Sequence, residues 1–180
     1  MTDTEKVISQ TKKWITDVVI GCNFCPFAAK EVKQNKVHYY VADNATLKTA
    51  LEVLIAQCIK LDEEEEIETT LIIFPDSFAK FDDYLHLVDI AEKLLKKEGY
   101  EGIYQLASFH PLYQFAGAAQ NDAANYTNRS IYPMLHLLRE ESIENVLTKF
   151  PEADRIFERN INFAHSKGDV YMKMLRDACM

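Results

Sequence analysis

Hydrophobic positions near the start of the chain recur at the spacing of an α-helix. The apolar face is formed by Val7, Ile8, Thr11, Trp14, Ile15, Val18 and Val19. Thr2 and Glu5 have the spacing of a capping box, and Gly21 is suited to ending a helix. The pattern therefore predicts a first helix that ends at Gly21. Pro26 predicts that a second, short helix begins close behind it.

Three later segments have the apolar, β-branched and aromatic composition of strands. They cover residues 37–42, 68–75 and 103–109, and helical patterns separate them. The segment 68–75 has a continuous apolar centre, which is typical of a strand covered on both faces. This alternation predicts an α/β fold with a three-stranded, mostly parallel sheet flanked by helices. A ferredoxin-like α+β arrangement is the alternative, but it needs a fourth strand that the pattern does not provide.

The last part of the chain is predicted to be mainly helical. A long polar loop runs from residue 113 to residue 130, and loops of this length are often functional. Ser130 is suited to capping a helix over residues 131–140, and Pro151 is suited to opening the next one. With 180 residues, the chain has the length of one domain, so residues 1–180 are expected to form a single globular domain.

Several polar residues that could bind a ligand lie where the third predicted strand ends. His110 follows that strand directly, and Asn128 and Arg129 lie in the polar loop that begins there. In parallel α/β sheets, ligands bind beyond the carboxyl ends of the strands. Arg129 also precedes a predicted helix start, where free backbone N–H groups suit a phosphate or carboxylate.

The predicted helix over residues 131–140 carries a second group of polar side chains. His136, Arg139 and Glu140 are three and four residues apart, so a helix would place them on one face. That face would extend the site begun by His110. The alternative is that Arg139 and Glu140 form ordinary ion pairs while His136 satisfies a buried backbone group.

Composition and charge narrow the classes of function. The net charge is −8, which argues against nonspecific nucleic-acid binding because that needs a basic field. No apolar run approaches the ~20 residues that span a bilayer, and the first residues lack the apolar core of a signal peptide. We therefore expect a cytoplasmic protein without membrane or nucleic-acid partners. Cofactors and oligomeric state stay open.

The segment GCNFCPFA raises a separate question about its two cysteines. A thioredoxin-like pair follows a strand, whereas a helix precedes Cys22 and Cys25 here. A zinc site needs a second close pair of ligands, and Cys58 and Cys179 do not supply one. Two interpretations stay open for Cys25: a nucleophile with His110 as its base, or a thiol packed in a turn.

Several short motifs, taken in order, resemble a bacterial family catalogued as a domain of unknown function, number 1415. The matching stretches are Val19-Ile-Gly21, Cys25-Pro-Phe-Ala28, Glu68-Thr-Thr-Leu71, Gln105-Leu-Ala-Ser-Phe-His-Pro111, Tyr113, Phe115-Ala-Gly117, Thr127-Asn-Arg-Ser130, Tyr132-Pro133 and Leu135-His-Leu-Leu-Arg-Glu140. The resemblance implies that the polar residues in these stretches are motif positions, and it assigns no activity to them. The family usually has an apolar residue in place of Cys22, which disfavours a mechanism that needs both cysteines.

These observations favour an enzyme that acts on a small anionic metabolite in a cleft lined by His110, Arg129 and His136. The expected catalytic residues are Cys25, His110 and His136, and the expected substrate-binding residues are Glu68, Asn128, Arg129, Arg139 and Glu140. No metal is expected in this interpretation.

Two alternatives belong to other classes of function. One is a non-catalytic module that binds a metabolite or a protein through aromatic side chains of the polar loop, since aromatics anchor interfaces. The other is a metal-binding protein that uses Cys25, His110 and His136 as ligands.

Overall fold

A four-stranded mixed sheet forms the centre of the computed structural model, which describes residues 3–149 and 155–180. The strands are β1 (Val37–Val41), β2 (Thr69–Ile73), β3 (Tyr104–Phe109) and β4 (Met134–Arg139). Their order across the sheet is β1-β2-β4-β3. β1 and β2 are parallel, whereas β4 runs antiparallel to both of its neighbours, β2 and β3. The last strand in the chain therefore lies inside the sheet.

Helices precede, connect and follow these strands. They are α1 (Asp3–Trp14), a π-helix (Ile15–Ile20), α2 (Ala28–Lys33), α3 (Leu47–Glu63), α4 (Phe81–Lys97), a 3-10 helix (Ala123–Thr127), α5 (Glu140–Lys149), α6 (Ile156–Lys167) and α7 (Asp169–Asp177). Within the described ranges, none of these helices combines the length and the apolar character that crossing a membrane requires. The helix cap expected at Thr2 and the helix start expected at Pro151 lie outside the described residues.

The α/β class predicted from the sequence is confirmed, but the three-stranded, mostly parallel sheet is wrong. The sequence predicts a helix over residues 131–140, but Met134–Arg139 form strand β4 instead. β4 pairs on both sides, and Leu135 and Leu137 are completely buried. Two sets of ladder hydrogen bonds and this burial outweigh the helix propensity of a leucine-rich segment.

The ferredoxin-like alternative is not formed either. The fourth strand that it needs is present, but the elements follow the order β-α-β-α-β-β rather than β-α-β-β-α-β. Helix α3 connects β1 to β2, which are neighbours and parallel, as in a βαβ unit.

Alternate side chains of the sheet enter two different hydrophobic clusters. On one face, Ile72, Leu135 and Leu137 pack with buried residues of α3 and α4. On the other face, which we call the α1 face, Leu71 and Met134 pack with residues of α1, the π-helix and α7. Because strand side chains alternate with a period of two, every residue of β4 is assigned to one layer or the other.

The first helix extends to Gly21 as the sequence predicts, but its last part has widened turns. Residues Ile15–Ile20 form a π-helix, and the Gly21 N–H binds the Thr16 carbonyl oxygen. A Cβ atom at Gly21 would overlap the Asp17 carbonyl oxygen, so the glycine is required for steric reasons. Such wide turns are frequent at functional sites.

Candidate functional site

A cavity of about 300 Å³ lies against the α1 face of the sheet. Its floor is formed by side chains from three strands: Thr69, Leu71, Ala107, Phe109, His136 and Leu138. These residues share one face, because Leu71 and Ala107 both lie directly opposite His136 in the strand register. The volume is at the lower end of the range of pockets that bind small molecules.

Helices and a loop form the walls of this cavity. They contribute Trp14, Ile15 and Val19 from α1 and the π-helix, Cys25 and Phe27 from the following loop, and Ile143 and Val146 from α5. Most of these side chains are apolar. A few polar residues complete the lining, and they are Cys25, Glu31, Glu68, Thr69, Arg139 and Ser142, in addition to His136 on the floor. Apolar walls with a few placed polar groups are the usual composition of a ligand site.

The hydrogen bonds of Thr69 assign the proton on the His136 ring. The Thr69 Oγ1 atom lies 2.6 Å from the Leu137 carbonyl oxygen and 2.6 Å from His136 Nε2. A hydroxyl has one hydrogen, and a carbonyl oxygen can only accept, so Thr69 donates to Leu137. His136 Nε2 must then carry a hydrogen and donate it to Thr69.

This tautomer leaves Nδ1 as the free nitrogen of a neutral ring. Burial lowers the pKa of His136 to about 4, because the charged imidazolium is poorly solvated there. At neutral pH the ring is therefore uncharged. Among the described residues, Nδ1 has no hydrogen-bond partner. His136 thus contributes a hydrogen-bond acceptor to the cavity.

Cys25 is the most accessible of the four cysteines. All of them are free thiols, and Cys22, Cys58 and Cys179 are buried whereas Cys25 is partly exposed at the cavity. Burial raises the pKa of Cys58 to about 12 and also raises the pKa of Cys22 and of Cys179. Since the thiolate is the reactive form, those three thiols are protected from reaction.

Two buried polar atoms of cavity-lining residues have no hydrogen-bond partner. They are Trp14 Nε1 and Glu31 Oε2, and only two other such atoms, on Gln57 and Thr70, occur in the part of the chain that the structure describes. An unsatisfied buried polar group is costly and uncommon, so two of them in the lining of one cavity indicate missing partners.

Arg139 contributes to the edge of the cavity, but its guanidinium group is held elsewhere. Its Nη2 atom donates to the carbonyl oxygens of Leu61 at 2.6 Å and Ile67 at 3.0 Å. Because β4 is a strand, His136 and Arg139 are three residues apart on opposite faces, not on one helical face as predicted. Glu140, the first residue of α5, donates its backbone N–H to Ile103 and does not line the cavity.

His110 lies outside the cavity and has both ring nitrogens occupied. Its Nε2 lies 2.9 Å from the Phe78 carbonyl oxygen, and its Nδ1 accepts the Leu112 N–H at 3.0 Å. The side chain is fully buried against the rings of Phe81 and Tyr84, and burial lowers its pKa. Its neutral ring ties the end of β3 to two loops.

Asn128 and Arg129 have a similar role in the polar loop. Asn128 donates to the Ser108 carbonyl oxygen at 3.1 Å. Arg129 is 8% exposed, donates to the carbonyl oxygens of Tyr113 at 2.9 Å and Gln120 at 2.7 Å, and lies over the Tyr126 ring. These bonds fix the loop against the sheet and leave little of the guanidinium for a ligand.

The structure therefore separates the sequence-predicted site residues into two groups. Cys25, Glu68, His136 and the edge of Arg139 line the cavity, whereas His110, Asn128, Arg129 and Glu140 do not. The expected cleft of His110, Arg129 and His136 is not formed. The sequence interpretation missed Trp14, Glu31 and Thr69 as cavity residues, because nothing in their local sequence distinguishes them from ordinary helix and strand positions.

The ligand set considered for a metal is also not brought together. Within residues 3–149 and 155–180, no group of three or more His, Cys, Asp or Glu residues has an arrangement suited to a metal ion. Cys25 and His136 line the cavity, but His110 has no free nitrogen.

Comparison with known proteins gives a family and no activity. No curated protein matches the chain, and no solved structure matches it. The profile of a family described as protein of unknown function (DUF1415) matches residues 6–174, which is nearly the whole chain and includes every residue of the cavity. The resemblance seen in the short motifs is thereby confirmed, and the chain belongs to the family DUF1415.

Proposed function

We propose that this protein binds a small, mostly apolar molecule in the cavity on the α1 face, with neutral His136 recognising a polar group of that molecule. The observation that carries the proposal is an apolar cavity whose floor presents an unpaired imidazole nitrogen. The apolar lining supplies binding free energy, and the single acceptor fixes the orientation of the ligand.

The anionic metabolite expected from the sequence is less favoured by this geometry. Both candidate anion-binding side chains, Arg129 and Arg139, donate to backbone carbonyl oxygens. Glu31 and Glu68 line the cavity and would repel an anion. A carboxylate or phosphate would also lose its hydration among apolar walls without gaining a positive partner.

A second candidate function is covalent catalysis by Cys25, because Cys25 and His136 line the same cavity. In such a reaction the Cys25 sulfur would add to a carbonyl carbon of the bound molecule. The C=O π bond would open as the thiol proton passes, by way of His136 Nδ1, to the carbonyl oxygen. This candidate requires that ligand binding slow the alkylation of Cys25 by iodoacetamide, and that Cys25→Ser retain binding but lose any turnover. Retained turnover in Cys25→Ser would exclude it.

The binding proposal is tested with N-phenylnaphthylamine, a neutral apolar probe whose fluorescence rises when it leaves water. We expect saturable binding of one probe per chain. Ala107→Phe fills the cavity from its floor and should weaken binding by at least about tenfold without lowering the melting temperature. Ala56→Phe, the same change at an exposed position of α3, is the matched control and should bind like the wild type. Equal binding by the Ala107→Phe variant would overturn the proposal.

A further inference from the structure

Three acceptor groups line the cavity, beside the unpaired N–H donor of Trp14. Glu31 and Glu68 contribute carboxylates, and His136 contributes the unprotonated Nδ1. Such a set is complementary to a ligand that donates hydrogen bonds. The sign of the carboxylate charge adds a preference for a cation.

Neither Arg139 nor Lys30 donates to the unpaired Glu31 Oε2. Among the described lining residues Arg139 alone is an arginine or lysine, and its Nε and Nη2 donate to the carbonyl oxygens of Leu61, Glu64 and Ile67. Lys30 lies 3.3 Å from Glu31 Oε1, but its side chain is 70% exposed, so this contact is a weak surface pair.

One carboxylate oxygen of Glu31 lacks a hydrogen-bond donor. Its Oε2 is buried and has no hydrogen-bond partner, although the residue belongs to the lining of the cavity. A carboxylate oxygen without a donor keeps its full desolvation penalty. A donor supplied by a ligand would remove that penalty, and a positively charged donor would do so most strongly.

We propose that the molecule bound in the cavity carries a positively charged nitrogen on an apolar body, and that Glu31 pairs with this nitrogen. The apolar body lies on the floor formed by Leu71, Ala107 and Phe109. This inference rests on the proposed function and adds the charge and the anchoring residue. The ligand class is that of small aromatic or aliphatic amines.

Three indole compounds of nearly equal size and different charge test the inference by calorimetry: tryptamine, tryptophol and indoleacetate. We expect tryptamine to bind about tenfold more tightly than tryptophol, and indoleacetate to bind most weakly. Glu31→Gln should remove the advantage of tryptamine and leave the affinity for tryptophol unchanged. That unchanged affinity also shows that the variant is folded.

A matched control separates a specific pair from the general negative charge of the protein. Glu141→Gln removes one charge from an exposed position next to Ser142, which lines the cavity, and should leave the advantage of tryptamine intact. If tryptamine has no advantage, or keeps it in Glu31→Gln, the inference about charge is overturned while cavity binding stands. If neither these compounds nor N-phenylnaphthylamine binds, the proposed function itself is overturned.

Discussion

The Thr69 hydroxyl and the His136 ring form one hydrogen-bonded unit on the floor of the cavity, with Oγ1 and Nε2 only 2.6 Å apart. The Thr69 hydroxyl donates its hydrogen to the Leu137 carbonyl oxygen, so this β2 side chain bonds both the backbone of β4 and the His136 ring. This unit determines which imidazole nitrogen meets a ligand.

Thr69→Val should therefore destabilise the protein and allow the His136 ring to adopt both neutral tautomers. Valine keeps the shape of threonine but leaves the buried Nε2–H without an acceptor, so the free energy of unfolding should fall by about 1–3 kcal/mol. Nitrogen-15 NMR of the imidazole should show the Nε2–H form in the wild type and a mixture in the variant.

The adjacent residue provides the control. Thr70 is completely buried, and its Oγ1 has no hydrogen-bond partner. Thr70→Val replaces an unsatisfied hydroxyl by a methyl group, so stability should stay unchanged or rise. Equal losses of stability in Thr69→Val and Thr70→Val would show that the bond to His136 has no special weight.

Acid should destabilise the protein through His136. The pKa of this residue is about 4 in the folded state, whereas the ordinary pKa of a histidine is 6.5. The unfolded chain therefore binds a proton first, and the stabilisation present above pH 6.5 is lost as the pH falls toward 4. The loss amounts to about 3 kcal/mol.

Urea unfolding between pH 7.5 and pH 4.5 measures this loss, with roughly 1.36 kcal/mol expected for each unit of pKa difference. His136→Gln should flatten the dependence on pH. His86→Gln, a change at an exposed histidine, should not alter it. A pH dependence that is the same in all three proteins would contradict the assigned burial of His136. Burial also lowers the pKa of His38 and of His110, so part of the dependence will remain in every variant.

Arg129→Lys distinguishes a structural arginine from an anion-binding one. Lysine keeps the charge but cannot donate to Tyr113 and Gln120 together while lying over Tyr126. We expect the free energy of unfolding to fall by about 2 kcal/mol, with a lower melting temperature. The affinity for N-phenylnaphthylamine should stay the same. Lys97→Arg, the reverse exchange at an exposed position of α4, should change neither quantity. A stable Arg129→Lys protein that has lost ligand binding would instead support an anion site.

Two glycine substitutions separate the shape of the cavity wall from general stability. Gly21→Ala introduces an overlap with the Asp17 carbonyl oxygen and should disturb the π-helix, which contributes Ile15 and Val19 to the cavity. Both stability and probe affinity should fall. Gly117→Ala strains a backbone at φ +79° with open space around it, so it should cost about 1 kcal/mol and leave affinity unchanged. Unchanged affinity in Gly21→Ala would show that the wide turns do not shape the site.

Much of the fold was predictable because its signals are local. The continuous apolar centre of β2 and the periodic faces of α3 and α4 need no tertiary information. The signal for β4 is not local. Its segment MLHLLR contains no β-branched residue, and it becomes a strand because it pairs with β2 on one side and with β3 on the other. The wrong helix there also placed His136 and Arg139 on one face.

The candidate site was predictable only in part, since distant segments assemble it. Cys25, Glu68 and His136 were singled out and do line the cavity. The importance of Glu31 depends on the burial of a single oxygen atom, which no local sequence pattern encodes. The positions of His110 and Arg129 near a strand end predict a site, but both side chains use their hydrogen bonds to hold the loops in place.

The most direct measurement of the central claim is the set of nuclear Overhauser effects between bound N-phenylnaphthylamine and the protein. A ligand in the cavity should give contacts to the ring of Trp14, the only tryptophan of the chain, and to the methyl groups of Leu71 and Val146. Contacts to the exposed Val170 and Met174 of α7 instead, or none that saturate, would contradict the account.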